Sequence, residues 1–322
     1  MSITTAATRL LGLSTPIALA PMDNVAGGTL AAAVSNAGGL GLIGGGYGDP
    51  AWLDQQFALA GETPVGCGFI TWSLEKQPDL LDRALQHRPT AIMLAFGDPA
   101  PHAPRIADTG TPLLCQIHNR HQAEHALDAG ADALVAQGSE AGGHGYGAQT
   151  TLTLVPEIAD LVRRRGTTTP VLAAGGIADG RGIAAALTLG ADGALLGSRF
   201  YATPEALSTP AARERVTTAT GAQTCRTTTY DIVRDHPWPP GHTISVLHND
   251  FTARWHGAEH ELIDELDEVR ADYRRAAAEH DYDTANVTIG QAAGLIDTVT
   301  PAGDLVTALT DETTALLGSI NR

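Results

Sequence analysis

PVLAAGGIADGRGIAAALTLGADGALLGSRF, residues Pro170 to Phe200, contains one full repeat of a parallel fold. Val171–Ala174 is a short apolar run closed by Gly175 and Gly176, as a buried strand running into a tight turn should be. Gly180–Leu189 follows with small and apolar residues at helical spacing, and Leu189-Gly190-Ala191-Asp192 reads as a helix end turning at once into the next strand, Gly193–Leu196. A strand, a helix and a second strand in about 25 residues leave room only for a parallel crossover. Each strand empties into glycines, Gly175-Gly176 and Gly197-Ser198.

The same rhythm extends back to the N-terminus. Strands are expected at Ile17–Ala20, Gly41–Gly44, Val65–Phe69, Ala91–Ala95, Leu113–Ile117 and Ala133–Ala136, which brings the number to eight. Helices are expected between them at Thr29–Ala37, Pro50–Ala60, Pro78–His87, Arg120–Ala129 and Thr153–Arg165. Ala129-Gly130-Ala131-Asp132 repeats the corner at Leu189 to Asp192. Eight strand-helix units in about 200 residues predict an α/β fold, a (β/α)8 TIM barrel, over a doubly wound sheet. The rhythm stops after Arg199. The barrel is therefore expected over residues 1–205 and 302–322, with Ala302–Ile320 as a helix returning to its wall, and a smaller, mostly helical substrate or lid domain over 206–301. Thr203 to His256, running into that insert, reads as irregular, Trp238-Pro239-Pro240-Gly241 most of all, and Glu259 to His280 as helical.

Composition narrows the function. The 20 Lys and Arg against 36 Asp and Glu give a net charge of −16, which repels nucleic acid and anionic membranes. Three scattered cysteines without C-x-x-C spacing argue against zinc and disulfides and suit a reducing, cytoplasmic compartment. The start, Met1-Ser2-Ile3-Thr4-Thr5, lacks the regions of a signal peptide. A homodimer is kept as a candidate assembly.

In such barrels the reactive mouth lies at the C-terminal strand ends, and phosphate is commonly held by the loops after strands seven and eight. Gly175, Gly176, Gly197 and Ser198 fall there. Ala20-Pro21-Met22 ends the first strand as an apolar shelf, with Asn24 able to bond a ring; Phe69 ends the third, and Gln116 and Gln137 aim amides at the same mouth. The sixth strand opens into Gly138-Ser139-Glu140-Ala141-Gly142-Gly143-His144-Gly145, one titratable ring among four glycines. A mouth with an anion cradle, amides and one histidine, but no paired carboxylates or metal triad, suits a bound redox cofactor better than hydrolysis. His256 and His260 are four apart, but no glutamate stands where a zincin needs one and no third ligand is evident. His118 is a candidate for the mouth, as are Tyr146 and Trp72, whereas His121 and His125 read as solvated.

Three strings, Ala20 to Gly45, Gly138 to Gly145 and Pro170 to Phe200, closely resemble the nitronate monooxygenase family over about the first 200 residues. The resemblance implies an FMN-containing TIM barrel that oxidises alkyl nitronates with O2 to carbonyl compounds and nitrite. It places Ala20, Pro21 and Met22 along the flavin, Gly142 and Gly143 near it, Gly175, Gly176, Gly197 and Ser198 on its phosphate, and His144 on the catalytic histidine. Two positions depart from the pattern: Gln116 stands where some members carry a lysine, and Ser198 replaces the commoner threonine. The same motifs resemble FMN-dependent NAD(P)H reductases, the FabK-type enoyl-acyl-carrier-protein reductases and quinone reductases, which differ in electron donor. An inosine-monophosphate-dehydrogenase-like reading requires a nucleophilic cysteine on a mobile loop, whereas Cys67 and Cys115 fall in strands, and a non-catalytic phosphate-binding barrel predicts a colourless protein or a coloured one inert to every donor. Whether His144 acts as a base on a nitroalkane or steadies a nitronate is open at this level.

Overall fold

The computed structural model describes residues 3–320, so the outermost two residues of each expected barrel segment, Met1 and Ser2 among them, lie outside it. Eight strands form one parallel sheet: β1 (Ile17–Leu19), β2 (Leu42–Gly44), β3 (Gly66–Ile70), β4 (Ile92–Ala95), β5 (Leu113–Ile117), β6 (Ala133–Gln137), β8 (Val171–Ala174) and β9 (Gly193–Leu196). Neighbours follow chain order, and β1 pairs with β9. Closure comes from a bridge between Ala18 and Leu40, just before β2, where the Leu19 amide donates to the Leu40 carbonyl at 2.8 Å. The sheet is thus the expected TIM barrel.

Alternation explains the two layers of core. One set of strand side chains, including Leu42, Met93, Leu114, Val135 and Leu172, fills the barrel. The other, including Ile43, Leu94, Cys115, Leu134 and Ala173, packs outward against the helices. The helix Ala6–Leu11 plugs the bottom with Ala7 and Leu11, while the Ala6 amide donates to the Asp192 carboxylate at 3.2 Å. The repeated Ala-Asp corner also has a physical reason. Asp132 accepts from the Leu113 amide at 2.8 Å and Asp192 from the Val171 amide at 3.1 Å, so each carboxylate ties its own strand to the preceding one. The left-handed turn before each, at Gly130 and Gly190, needs a residue without Cβ.

Helix Ala302–Ile320 returns to the wall, adding Ala302, Leu305, Val306 and Leu309 to the outer core. The insert differs from its irregular reading. Helices Pro210–Thr218, Thr229–Arg234 and Asp250–Trp255 lie within it, and two strands, β10 (Thr224–Thr227) and β11 (Thr243–Leu247), pair antiparallel. A third strand, β7 (Gly143–Gly145), joins them from the barrel's own loop, placing His144 opposite Ile244. Residues 203–209 and 236–242 keep the expected irregular course, the second enforced by three prolines, Pro237, Pro239 and Pro240. Among the described residues no helix is long and apolar enough to cross a membrane.

Candidate active site

At the C-terminal rim the strand ends enclose a cavity of about 340 Å³. From β1 come Ala20, Pro21, Met22 and Asn24; from β3, Phe69; from β5 and β6, Gln116 and Gln137. The glycine loops bring Gly142, Gly143 and His144 on one side and Gly175, Gly176, Gly197 and Ser198 on the other. Gly138 does not line it. A Cβ there would stand 2.2 Å from Thr151 Oγ1 and 2.3 Å from the Thr151 amide, so packing against the helix Thr151–Arg164 is what requires its glycine.

The other glycines sort by the same test. A Cβ on Gly142 would lie 2.6 Å from the Gly290 nitrogen, so two backbones touch there and packing excludes any side chain. Gly175 and Gly176 hold φ of 102° and 72°, a sharp left-handed turn. A Cβ on Gly197, by contrast, would meet only ordinary contacts at 3.5 Å with Ala20 and Met22. Packing leaves that position free, and keeping backbone bare toward the cavity is a use that remains. Ser198 Oγ accepts from the Gly290 amide at 3.1 Å, which leaves its O–H to donate into the cavity. A bare glycine rim, a free hydroxyl and the Pro21–Met22 shelf fit a planar ring bearing a phosphate.

His144 is buried, and its ring is fixed from two directions. Nε2 lies 2.9 and 3.1 Å from the two carboxylate oxygens of Asp231, and Trp238 stacks on the ring with centroids 3.5 Å apart. A carboxylate only accepts, so Nε2 carries the proton toward Asp231. Nδ1 is left with its lone pair, without a partner among the described residues and accessible. Burial pushes the His144 pKa below its usual 6.5, against the opposing pull of Asp231, so the neutral form dominates at pH 7.

Asp231 also accepts from Arg234 Nη2 at 3.0 Å, and Arg234 Nε donates to the Tyr230 carbonyl at 3.0 Å. The guanidinium, with its side chain 18% exposed, lines the cavity, and its Nη1 has no partner among the described residues. Burial works against its charge, yet Tyr273, Tyr47 and Asp231 together hold the Arg234 pKa above the ordinary value. On the opposite wall Asp23 sits at φ 36°, with its pKa raised by burial despite the Arg234 field and a bond from the Asn24 amide. Tyr47 closes this end, accepting from Trp238 Nε1 at 3.0 Å, and burial raises its pKa too. The local titratable groups are therefore a largely neutral ring, an Asp231–Arg234 pair with one guanidinium nitrogen to spare, and Asp23, whose pKa burial raises.

Asp231, Arg234, Trp238, Tyr47 and Asp23 were absent from the sequence expectation. Asp231 and Arg234 are spaced i, i+3, a signal shared with many surface ion pairs such as Asp160 and Arg163. Burial tells them apart, and burial follows from the β7–β11 pairing. Arg226 secures that pairing, donating from Nε to Ser139 O at 3.1 Å and from Nη2 to Ala141 O at 2.9 Å. Of the other candidates, Trp72 lines neither this cavity nor its neighbour and packs beside Tyr47 and Trp238. His118 and Tyr146 line the neighbouring cavity, and so does the exposed His125, which contacts Asp98 at 2.6 Å.

His118 is buried, donating from Nε2 to Gln137 Oε1 at 2.6 Å, and burial pushes its pKa down to about 4. The unfolded chain, with an ordinary value of 6.5, binds that proton more readily. This contribution to stability is thus complete above pH 6.5 and lost as pH falls toward about 4. A melting temperature that declines over this range, less steeply in His118→Gln, is the expected result; parallel declines would assign the loss to other groups.

A parallel barrel with a glycine-rimmed cavity, an apolar shelf and an orientated histidine defines a cofactor-dependent oxidoreductase of the TIM-barrel type. The nitronate monooxygenase family profile matches residues 73–312, and the chain belongs to that flavin-dependent family. It is 34% identical to a nitronate monooxygenase of Metarhizium robertsii, over 94% of this chain and 91% of that one. Among solved structures, FabK from Thermotoga maritima superposes with a TM-score of 0.86 at 31% identity, over 99% of both chains. A nitroalkane oxidase from Streptomyces ansochromogenes superposes at 0.78 with 26% identity, over 98% of this chain and 100% of that one.

Proposed function

We propose that this enzyme oxidises alkyl nitronates, and nitroalkanes that it first deprotonates, to carbonyl compounds and nitrite, with FMN bound and O2 as oxidant. One observation carries the reading: the cavity pairs a bare imidazole nitrogen with a spare guanidinium nitrogen, both organised by Asp231. Gly175, Gly176, Gly197 and Ser198 would hold the phosphate, Ala20, Pro21 and Met22 would flank the ring, Phe69, Gly142 and Gly143 would close around it, and Asn24, Gln116 and Gln137 would meet its polar edge. Bound FMN would accept the electrons of the nitronate and pass them to O2.

The chain's own residues handle the proton and the charge. His144 Nδ1 takes the α-proton of a neutral nitroalkane, and the C–H electron pair moves into the nitro group to give the nitronate. Asp231 steadies the imidazolium that forms. Negative charge then lies on two coplanar oxygens, a geometry that a guanidinium nitrogen recognises well. Arg234 Nη1 stands there, so ring and guanidinium divide the two tasks. Residues 206–301 act as the lid, since Asp231, Arg234 and Trp238 all belong to that segment.

The FabK likeness favours a second reading, reduction of the same flavin by a nicotinamide. Anaerobic mixing separates the two. Bleaching of the flavin spectrum by propionate-3-nitronate or 2-nitropropane nitronate, with no response to NADH or NADPH, is the expected outcome. Bleaching by a reduced nicotinamide alone would transfer the chain to the reductases.

A further inference from the structure

Beside the main cavity lies a second one of about 220 Å³, between the ends of β4 and β5 and the helix Arg120–Asp128. The two share Phe96 and Gln116 as a common wall. Phe96 holds a φ of 63°, a left-handed conformation that is strained for a bulky residue and tends to persist at functional positions. Its ring lies 6.4 Å from His144 on one side and stacks at 5.7 Å on His118 on the other.

The lining of the second cavity identifies what it would accept. His118, Tyr146 and His242 contribute rings, with Tyr146 4.2 Å from His242 and 5.2 Å from His118. Most of its polar groups are occupied with one another; the exception is His242 Nε2, buried with no partner among the described residues. His118 donates from Nε2 to Gln137 and from its backbone amide to Gln122 Oε1 at 2.8 Å, Gln116 donates to Gln137, and His242 Nδ1 donates to the Pro239 carbonyl at 3.0 Å. Ring faces and aliphatic carbon from Leu94, Ile117 and Ala126 remain. That surface suits an uncharged planar ring, which stacks on and packs edge-on to aromatic neighbours.

We propose that this second cavity is a subsite for the aryl tail of a nitronate substrate, and that Phe96 is the wall setting how far the tail extends from His144. The proposal rests on the nitronate reading for the substrate's head, but the subsite itself can be read by binding alone. Fluorobenzene followed by ¹⁹F NMR is expected to bind the wild-type protein and to weaken by about tenfold or more in Ala126→Leu, which fills the cavity. Equal binding to both proteins, or to neither, overturns the subsite.

Phe96→Gly removes the wall and suits the backbone, because glycine accepts a left-handed φ without strain. Phe96→Asn, which also tolerates that conformation, guards against a packing failure in the first variant. In either, the kcat/KM ratio of 2-phenylnitroethane nitronate over ethylnitronate is expected to rise by about tenfold or more. The Kd ratio of propanoate over 3-phenylpropanoate, carboxylate mimics that need no turnover, is expected to rise likewise. Unchanged ratios in both variants, with an unaltered circular dichroism spectrum, overturn the partition. A shifted binding ratio in a protein that oxidises no nitronate would leave the subsite standing and remove the proposed function instead.

Discussion

His144→Ala is expected to lower kcat on a neutral nitroalkane by about 10²–10⁴-fold, the usual worth of a positioned base, while FMN stays bound. The nitronate supplied ready-made should lose far less, because its α-proton is already gone. This contrast tests the division of labour drawn from the tautomer. Nε2 is committed to Asp231, so the ring presents an acceptor to the cavity, and an acceptor removes protons rather than steadying anions. Equal losses on both substrates would make the ring a charge stabiliser, and no loss on either would remove it from the chemistry. The pH profile supplies an independent check. Since burial holds the His144 pKa below 6.5, kcat/KM for nitroalkane should be flat at neutral pH and fall only at pH below 6.5.

Arg234→Met should give the complementary pattern, a rise in KM for the nitronate of about 10–100-fold, the equivalent of the ~1.5–3 kcal/mol of a hydrogen bond to a charged group. Methionine keeps much of the side chain's volume but carries no charge. The Asp231 carboxylate loses one of its two partners as well, so part of the effect would come through His144. Arg234→Lys separates the two causes: a compact ammonium restores charge without the planar fork. Partial recovery of KM in Lys over Met is the expected result. A KM unchanged in Arg234→Met, in protein that still binds FMN, would mean that the anion is held elsewhere in the cavity.

The glycines show how far local sequence reaches. All of those proposed around the cofactor but Gly138 do line the cavity, because strand ends in a barrel have one mouth to open into. Their reasons for being glycine differ, however. Gly138 and Gly142 are forced by packing against Thr151 and Gly290, Gly143, Gly175 and Gly176 by a left-handed φ, and only Gly197 is left unexplained by either. From the sequence all six look alike, since nothing in a glycine's neighbours along the chain says what will press against it.

The barrel itself was determined by the sequence. Apolar runs of four or five residues, small-residue helices and Ala-Asp corners are local patterns, and eight of them in succession close one way. The candidate base was readable for the same reason, since His144 follows directly on the sixth barrel strand. What that base can do was decided only by tertiary structure. β7 is Gly-His-Gly, three residues with no strand signal of their own, and it becomes a strand only by pairing with β11, about 100 residues later. That pairing delivers Asp231, Arg234 and Trp238 to the ring. They orient the proton, lower the pKa and place a positive charge beside the substrate. These effects depend on distance and burial in three dimensions, and contacts 87 residues apart leave no periodicity for the sequence to show.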